Sequence, residues 1–223
     1  MNGKVRGDKR YYGQAIGIAL LDQLHSQPLI PGNVGNASTY DFPVRLKVIK
    51  GLHDNPYPPV RDEQGRYSAD VQRTVEAVEI PVFSSPLLLV PLISRMIGKR
   101  QKVGILTASK KRLTREFLEP VGVDDSIPYA VEGLEASTEF CACFIGGTRT
   151  TLDVDLLGAQ VVDIASGFVR ENPDIGALLL ECSDLPPFAA DIQEATGKPV
   201  FDFITFINAV YQAVVQRRYT GFL

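Results

Sequence analysis

Short apolar runs divided by polar, glycine-rich and proline-rich stretches set the rhythm of this chain. Ala15 to Leu21, Val103 to Leu106 and Ala177 to Leu180 each run apolar over a strand's length, the pattern of strands covered on both faces. Arg45 to Ile49 alternates polar and apolar positions instead, as a half-exposed strand does. Ile80 to Phe83, Ile127 to Val131 and Val200 to Phe203 complete the predicted strands. Between them the apolar period lengthens to that of helices. Asp153 to Arg170 is the clearest, with Val154, Leu157, Val161, Ile164, Ala165 and Phe168 on one stripe. Ser68 or Asp70 can cap a helix to about Val78. Ser84-Ser85-Pro86 starts another that runs to about Ile97, kinks near Pro91 and stops at Gly98. Thr107-Ala108-Ser109 turns into a basic helix with Leu113, Phe117 and Leu118 on one face, and further helices are expected over Phe188 to Thr196 and from about Thr205 to Gln216. Phe140 to Gly147 has no decisive period. Strands alternating with helices predict parallel sheets with covered faces, an α/β protein.

The candidate chemistry lies where the run Ala177 to Leu180 ends. Prolines 186 and 187 bar a regular strand from continuing, so Cys182 falls at a strand's carboxyl end, the edge at which open α/β sheets bind ligands. The helix expected from Phe188 would turn its first amides toward the same crevice, and positive partial charge there favours thiolate. Cysteine is also a common small core residue, so packing alone is the competing account. Ser183 and Asp184 argue against it, because polar groups at a strand tip cost free energy when buried without partners. A second candidate is the loop Pro28 to Thr39, rich in Gly, Asn, Ser and Pro. It has neither of the usual glycine-rich phosphate patterns, but Asn33, Asn36 and its amides could bind a small polar ligand.

Composition narrows the classes. The 223 residues are 45% hydrophobic and 22% charged with a formal charge of −3, and no basic stripe interleaved with aromatics marks a nucleic-acid face. No apolar run approaches the ~20 residues of a membrane span. Lys4, Arg6, Lys9 and Arg10 ahead of Ala15 to Leu21 imitate a signal peptide, but Asp22 ends the run and no small-residue cleavage site follows. Three cysteines without a paired framework suit a reducing cytoplasm. Cys141-Ala142-Cys143, with His25 and His53 the sole histidines, makes a poor metal site, so no metal is expected. The charged Lys99-Arg100-Gln101-Lys102 is the best boundary. It divides a first half, 1–98, onto which 205–223 is expected to pack back, from a second half, 99–204, carrying Cys182.

Glu181-Cys182-Ser183-Asp184, Val103-Gly104-Ile105-Leu106-Thr107, and the strand Ala15 to Asp22 followed by Pro31-Gly32-Asn33 together resemble the aspartate/glutamate racemase superfamily, which includes hydantoin racemases and arylmalonate decarboxylases. The resemblance implies two flavodoxin-like parallel-sheet domains related by a pseudo-two-fold axis, an active site in the cleft between them, a homodimer, and no cofactor. In that family two cysteines face the α-carbon from opposite sides, one removing a proton and one returning it. Cys182 matches the second and Ser183 the small hydroxyl residue after it, whereas Asp184 replaces a histidine or glutamate. No cysteine precedes Cys141, so the first has no counterpart. The implied activity is cofactor-independent racemisation or epimerisation of a small amino acid or related α-carboxylate, with Cys182 catalytic and Asn33, Thr107, Ser109 and Ser183 contacting substrate. The alternatives are a single-cysteine decarboxylase or isomerase and a catalytically silent small-molecule-binding protein.

One further expectation concerns the chain itself. Asp70 to Val78 reads as a helix and Glu79 to Phe83 as a strand, with nothing between them to reverse direction, although such connections take ~2–6 residues. The first half is also one strand-helix unit short of its family counterpart, the unit that carries the first cysteine. An active-site segment is therefore expected to be missing between about Val75 and Ile80, with a true deletion as the alternative.

Overall fold

A computed structural model describes residues 15–20, 27–48, 82–146 and 149–219. The strands are β1 (Ile16–Leu20), β2 (Val44–Val48), β3 (Lys102–Thr107), β4 (Tyr129–Gly133), β5 (Ile175–Leu180) and β6 (Val200–Phe201). The α-helices are α1 (Val90–Met96), α2 (Arg115–Leu118), α3 (Thr138–Phe140), α4 (Val154–Glu171), α5 (Ala189–Thr196) and α6 (Phe203–Val214). Every strand pair among the described residues is parallel. The protein is thus α/β with parallel sheets, as the alternation of strand and helix patterns predicts.

The larger sheet has the order β4-β3-β5-β6. The period-two geometry of strands explains its two covered faces. Leu178 and Leu180 of β5 point into one cluster with Leu106, Leu157, Val161, Ala165, Phe168 and Ile192, which brings in α4 and α5. Ala177 and Leu179 point the other way, with Val103, Ile105, Leu118, Val90 and Ile93, which brings in α1 and α2. Gly104 lets these layers close: a Cβ there would stand 2.8 Å from Leu178 Cδ2 and 3.1 Å from the Phe168 ring. The chain adds β4 on one side of β3 and then crosses back through α4 to add β5 on the other. The winding therefore reverses between β3 and β5, the position where sheets of this kind open a crevice at their carboxyl edge.

The smaller sheet pairs β1 with β2. Its core of Ile18, Val34, Tyr40 and Phe42 is covered by Phe203, Ile204, Ile207 and Tyr211 of α6, with Phe42 and Tyr211 stacked at 3.6 Å between ring centroids. The carboxyl-terminal helix thus lies on the first sheet. The 3-10 turn Pro86–Leu89 and α1 belong by packing to the second sheet, although their sequence places them before the boundary at residue 98.

Several elements differ from their sequence patterns for identifiable reasons. β1 is covered on one face, with Gly17 and Ala19 exposed between Ile16, Ile18 and Leu20. The stretch 86–96 starts on a Ser85 cap and changes from 3-10 to α-helix beside Pro91, where the kink is expected. The basic helix after Thr107 begins only at Arg115, because turns occupy residues 108–114; Leu113, Phe117 and Leu118 still reach the core. Phe140 to Gly147 resolves, through Ile145, into the end of α3 and a π turn over Cys141–Ile145. β6 ends at Phe201 because Asp202 turns to cap α6, accepting from Thr205 N at 2.7 Å while its own N–H donates to Thr205 Oγ1 at 2.8 Å. Val82 and Phe83 stand outside any regular element. The helix expected to end at Val78, the rest of that strand, and the expected missing segment between Val75 and Ile80 lie outside the described residues. Among the described residues no helix is long and apolar enough to cross a membrane.

Two substitutions test this account. Phe168→Ala should cost about 3 kcal/mol of stability by opening a cavity over Gly104, seen as a lower urea midpoint at unchanged slope. Gly32 has φ +98°, and a Cβ there would meet Pro187 Cα at 2.7 Å. Gly32→Ala should therefore destabilise by roughly 2 kcal/mol by the same measurement, and an unchanged midpoint would mean that the loop and the turn do not meet.

Candidate functional site

The loop Pro28 to Thr39 is a hydrogen-bonded frame. Asn36 donates from Nδ2 to Leu29 O at 2.8 Å and accepts from Ser38 N at 2.9 Å. Thr39 accepts from Gly32 N at 2.9 Å and donates to Asn33 O at 2.8 Å, and Tyr40 donates to Val34 O at 2.9 Å. Burial, then the negative charge of Asp202, pushes the Tyr40 phenol upward, so it remains a hydroxyl donor. The frame presents Asn33, 4% exposed, to the turn that follows β5.

That turn carries Glu181, Cys182, Ser183 and Asp184, all half-buried. Glu181 N still donates to Leu106 O at 2.8 Å, so β5 is held against β3 to its last residue before the chain turns away. Asn33 Nδ2 donates to Asp184 Oδ1 at 2.6 Å. The Cys182 thiol lies 3.6 Å from Asp184 Oδ2. One carboxyl thus receives an amide from the first sheet's loop and a thiol from the second sheet's edge. Its burial pushes it up to about 6, while the two hydrogen bonds pull it down. Burial first, and the neighbouring Asp184 charge second, hold the Cys182 thiol well above an ordinary thiol.

The thiolate predicted for Cys182 is therefore corrected to a thiol with a bound proton at neutral pH. The reason lies in the residues after it. Pro186 and Pro187 occupy the first turn and have no N–H to donate, and Leu185 N donates to Cys182 O at 3.2 Å. The Asp184 amide still favours the thiolate, but burial and the Asp184 charge outweigh it, and the nearest charges, Asp184 and Glu181, are negative.

The structure brings together Cys182, Asn33 and, on the adjoining strand end, Thr107. Thr107 is the last residue of β3, and its hydroxyl donates to Glu181 Oε2 at 2.8 Å. Ser183 sits within the Cys182 turn. Ser109 is drawn away, donating to Glu135 Oε1 at 2.8 Å beyond the end of β4. Asn33 is not poised to meet a ligand as expected: its carboxamide oxygen accepts from Gly35 N at 2.7 Å and its nitrogen serves Asp184. Asp184, a polar strand-tip residue and a departure from the family pattern, is not among the site residues expected from sequence, although its place two residues after Cys182 is a usable signal. Neither other cysteine joins the cluster. Buried Cys143 donates to Thr151 O at 3.2 Å and Cys141 to Glu135 O at 3.5 Å. Among the described residues no group of three His, Cys, Asp or Glu could hold a metal.

No protein-family model matches the chain. It is 28% identical to a dimethylsulfoniopropionate lyase of Durusdinium sp. clade D, an alignment that takes in 85% of this chain and 71% of that protein. It is 25% identical to dimethylsulfoniopropionate lyase 5 of Emiliania huxleyi over 89% of this chain and 45% of that protein, and 30% identical to lyase 7 of the same organism over 66% and 44%. The chain thus spans less than half the length of these two relatives. The Durusdinium alignment runs to 225 positions yet takes in 85% of a chain of 223, so the relative carries residues inside the aligned span that have no counterpart here. Among solved structures, glutamate racemase of Bacillus anthracis is similar with TM-score 0.45 and 16% identity, covering 65% of this chain and 54% of that one. Allantoin racemase of Pseudomonas fluorescens has TM-score 0.44 and 13% identity, covering 77% and 79%. The relatives in sequence are lyases by name, and on that finding the expected racemase activity is corrected.

Proposed function

We propose that this chain is a lyase that removes a proton α to a carboxylate and expels a neutral group from the β-carbon, with dimethylsulfoniopropionate as the substrate its relatives indicate. The observation that carries this reading is the Cys182–Asp184 couple, with 3.6 Å between Sγ and Oδ2, at the edge where the winding of the larger sheet reverses. The sequence relatives support it from an independent direction.

Dimethylsulfoniopropionate carries a sulfonium on the carbon β to its carboxylate. Its cleavage takes one α-proton, forms a carbon–carbon double bond and breaks the β-carbon–sulfur bond. The bonding pair leaves on sulfur as dimethyl sulfide, and acrylate remains. Above about pH 6 Asp184 is a carboxylate, so the couple holds one negative charge and one proton. Asp184 accepts the thiol proton as Cys182 Sγ takes the α-proton. The couple has then gained one proton, which passes to water after product release. A thiol whose proton is held tightly yields a strongly basic thiolate, which suits a weakly acidic C–H. Ser183 is the hydroxyl proposed to meet the substrate carboxylate as charge builds on it, since the Thr107 proton is engaged by Glu181.

Elimination needs a base on one face of the α-carbon. Inversion needs an acid on the opposite face as well, and Cys141 and Cys143 donate elsewhere. The expected alternative of a single-cysteine decarboxylase or isomerase is therefore nearer to this reading than the expected racemase is.

Three outcomes follow. Cys182→Ser should abolish release of dimethyl sulfide while the circular dichroism spectrum is retained, and retained turnover would place the chemistry elsewhere. Asp184→Asn should lower kcat by about 10²–10⁴ and remove an ascending limb of kcat/KM near pH 6. Stability should show the opposite dependence. Asp184 holds its proton more tightly folded, at about 6, than unfolded at ~3.9. Its contribution is complete below the unfolded value and is lost as pH rises through about 6. In urea melts Asp184→Asn should lose that decline and be more stable than the parent at pH 8 by on the order of 2 kcal/mol.

A further inference from the structure

The structure assigns Asn33 as a positioning residue that reaches from the loop of the first sheet to hold Asp184 in register with the Cys182 thiol. The assignment rests on the reading above for its link to turnover, but its geometry stands alone. Asn33 is 151 positions from Asp184 in sequence, 4% exposed, and donates to it at 2.6 Å. Its own orientation is fixed at three points: Oδ1 accepts from Gly35 N at 2.7 Å, its carbonyl accepts from Thr39 Oγ1 at 2.8 Å, and its N–H donates to Ile30 O at 3.0 Å. A carboxamide locked by its oxygen can offer Asp184 nothing but N–H. This makes the contact directional: Asn33 favours the charged form of Asp184 and leaves the other carboxyl oxygen to the thiol.

The surroundings sharpen the effect. Among the described residues, the hydrogen bonds bearing on Asp184 come from Asn33 and Cys182, both of which favour its ionised form. Glu181 bears on the thiol and is met by Thr107 from β3, and Asp202 at the start of α6 bears on Tyr40. Among the described residues no cation of these elements bears on Asp184. The uncharged amide is then the stronger of the two groups that keep the carboxyl from rising further.

The test reads the couple without using any lyase substrate. The rate at which Cys182 reacts with a dithiodipyridine disulfide is followed from pH 4 to pH 9, with the modified peptide identified by mass. Ionisation of Asp184 raises the barrier to thiolate formation, so the logarithm of the rate should flatten near pH 6 before climbing again. In Asn33→Asp, which keeps the acceptor for Gly35 N but removes the donor and adds a like charge, the break should move up by about one pH unit or more. Asn33→Ser, with no added charge, should move it in the same direction by less. A break at the parental position in folded Asn33→Asp, or in folded Asn33→Ser where Asn33→Asp does not fold, overturns the assignment. A parent with no break overturns it too. Failure of the parent to release dimethyl sulfide, with the break present and movable, overturns the proposed reaction alone.

Discussion

Taking the Asp184 carboxyl out of water costs free energy that its two hydrogen bonds offset, and the neighbouring structure is arranged to supply them. The amide comes from Asn33, so the loop after β1 must hold one conformation, which Asn36, Thr39 and Tyr40 enforce through bonds to the loop's own backbone. To bring that loop close enough, Gly32 adopts φ +98° against Pro187, where a side chain would clash. The thiol comes from Cys182, which β5 places by pairing with β3 up to Glu181. A change in any of these reaches the carboxyl, because a buried ionisable group without partners reverts to its neutral form.

The same constraint explains why the acidity of Cys182 runs opposite to its position in the chain. A strand tip before a helix is ordinarily a place where thiols ionise, because free amides point at it. Here the helix opens on two prolines, Leu185 N closes back on Cys182 O, and the Asp184 amide that favours the thiolate is outweighed by burial and by the Asp184 charge. The charges near sulfur are negative. The couple therefore stores its charge on oxygen and its proton on sulfur, and basicity at sulfur is available only when the carboxylate takes that proton.

The backbone frame was legible wherever one local rule decided the outcome. The continuous run Ala177 to Leu180 marks a strand covered twice, the stripe from Val154 to Phe168 marks α4, and Ser85-Pro86 marks a capped start. Local rules failed where a distant contact competed. β1 looks like a central strand but is covered on one side, and β6 is cut short because Asp202 is more use to α6 as a cap. The site divided the same way. Cys182 at a strand end follows from local pattern. The role of Asn33 does not, since its partner is 151 positions away and nothing near it in sequence says that its amide will be claimed by a carboxyl rather than by a ligand.

The shortage of cysteines becomes intelligible in these terms. Proton exchange with inversion requires two titratable groups on opposite faces of one carbon, and the second must be as well placed as the first. β-Elimination has no such symmetry, because the departing group completes the reaction and nothing has to be returned to carbon. The relatives hold residues within the aligned span that this chain lacks, and its remaining cysteines donate to Thr151 and Glu135 rather than toward Cys182. The Cys182–Asp184 couple on one strand edge suits the proposed reaction, which works from one face. In the proposed elimination the sulfonium sulfur departs as a neutral sulfide, needs no proton, and so requires no acid on the opposite face.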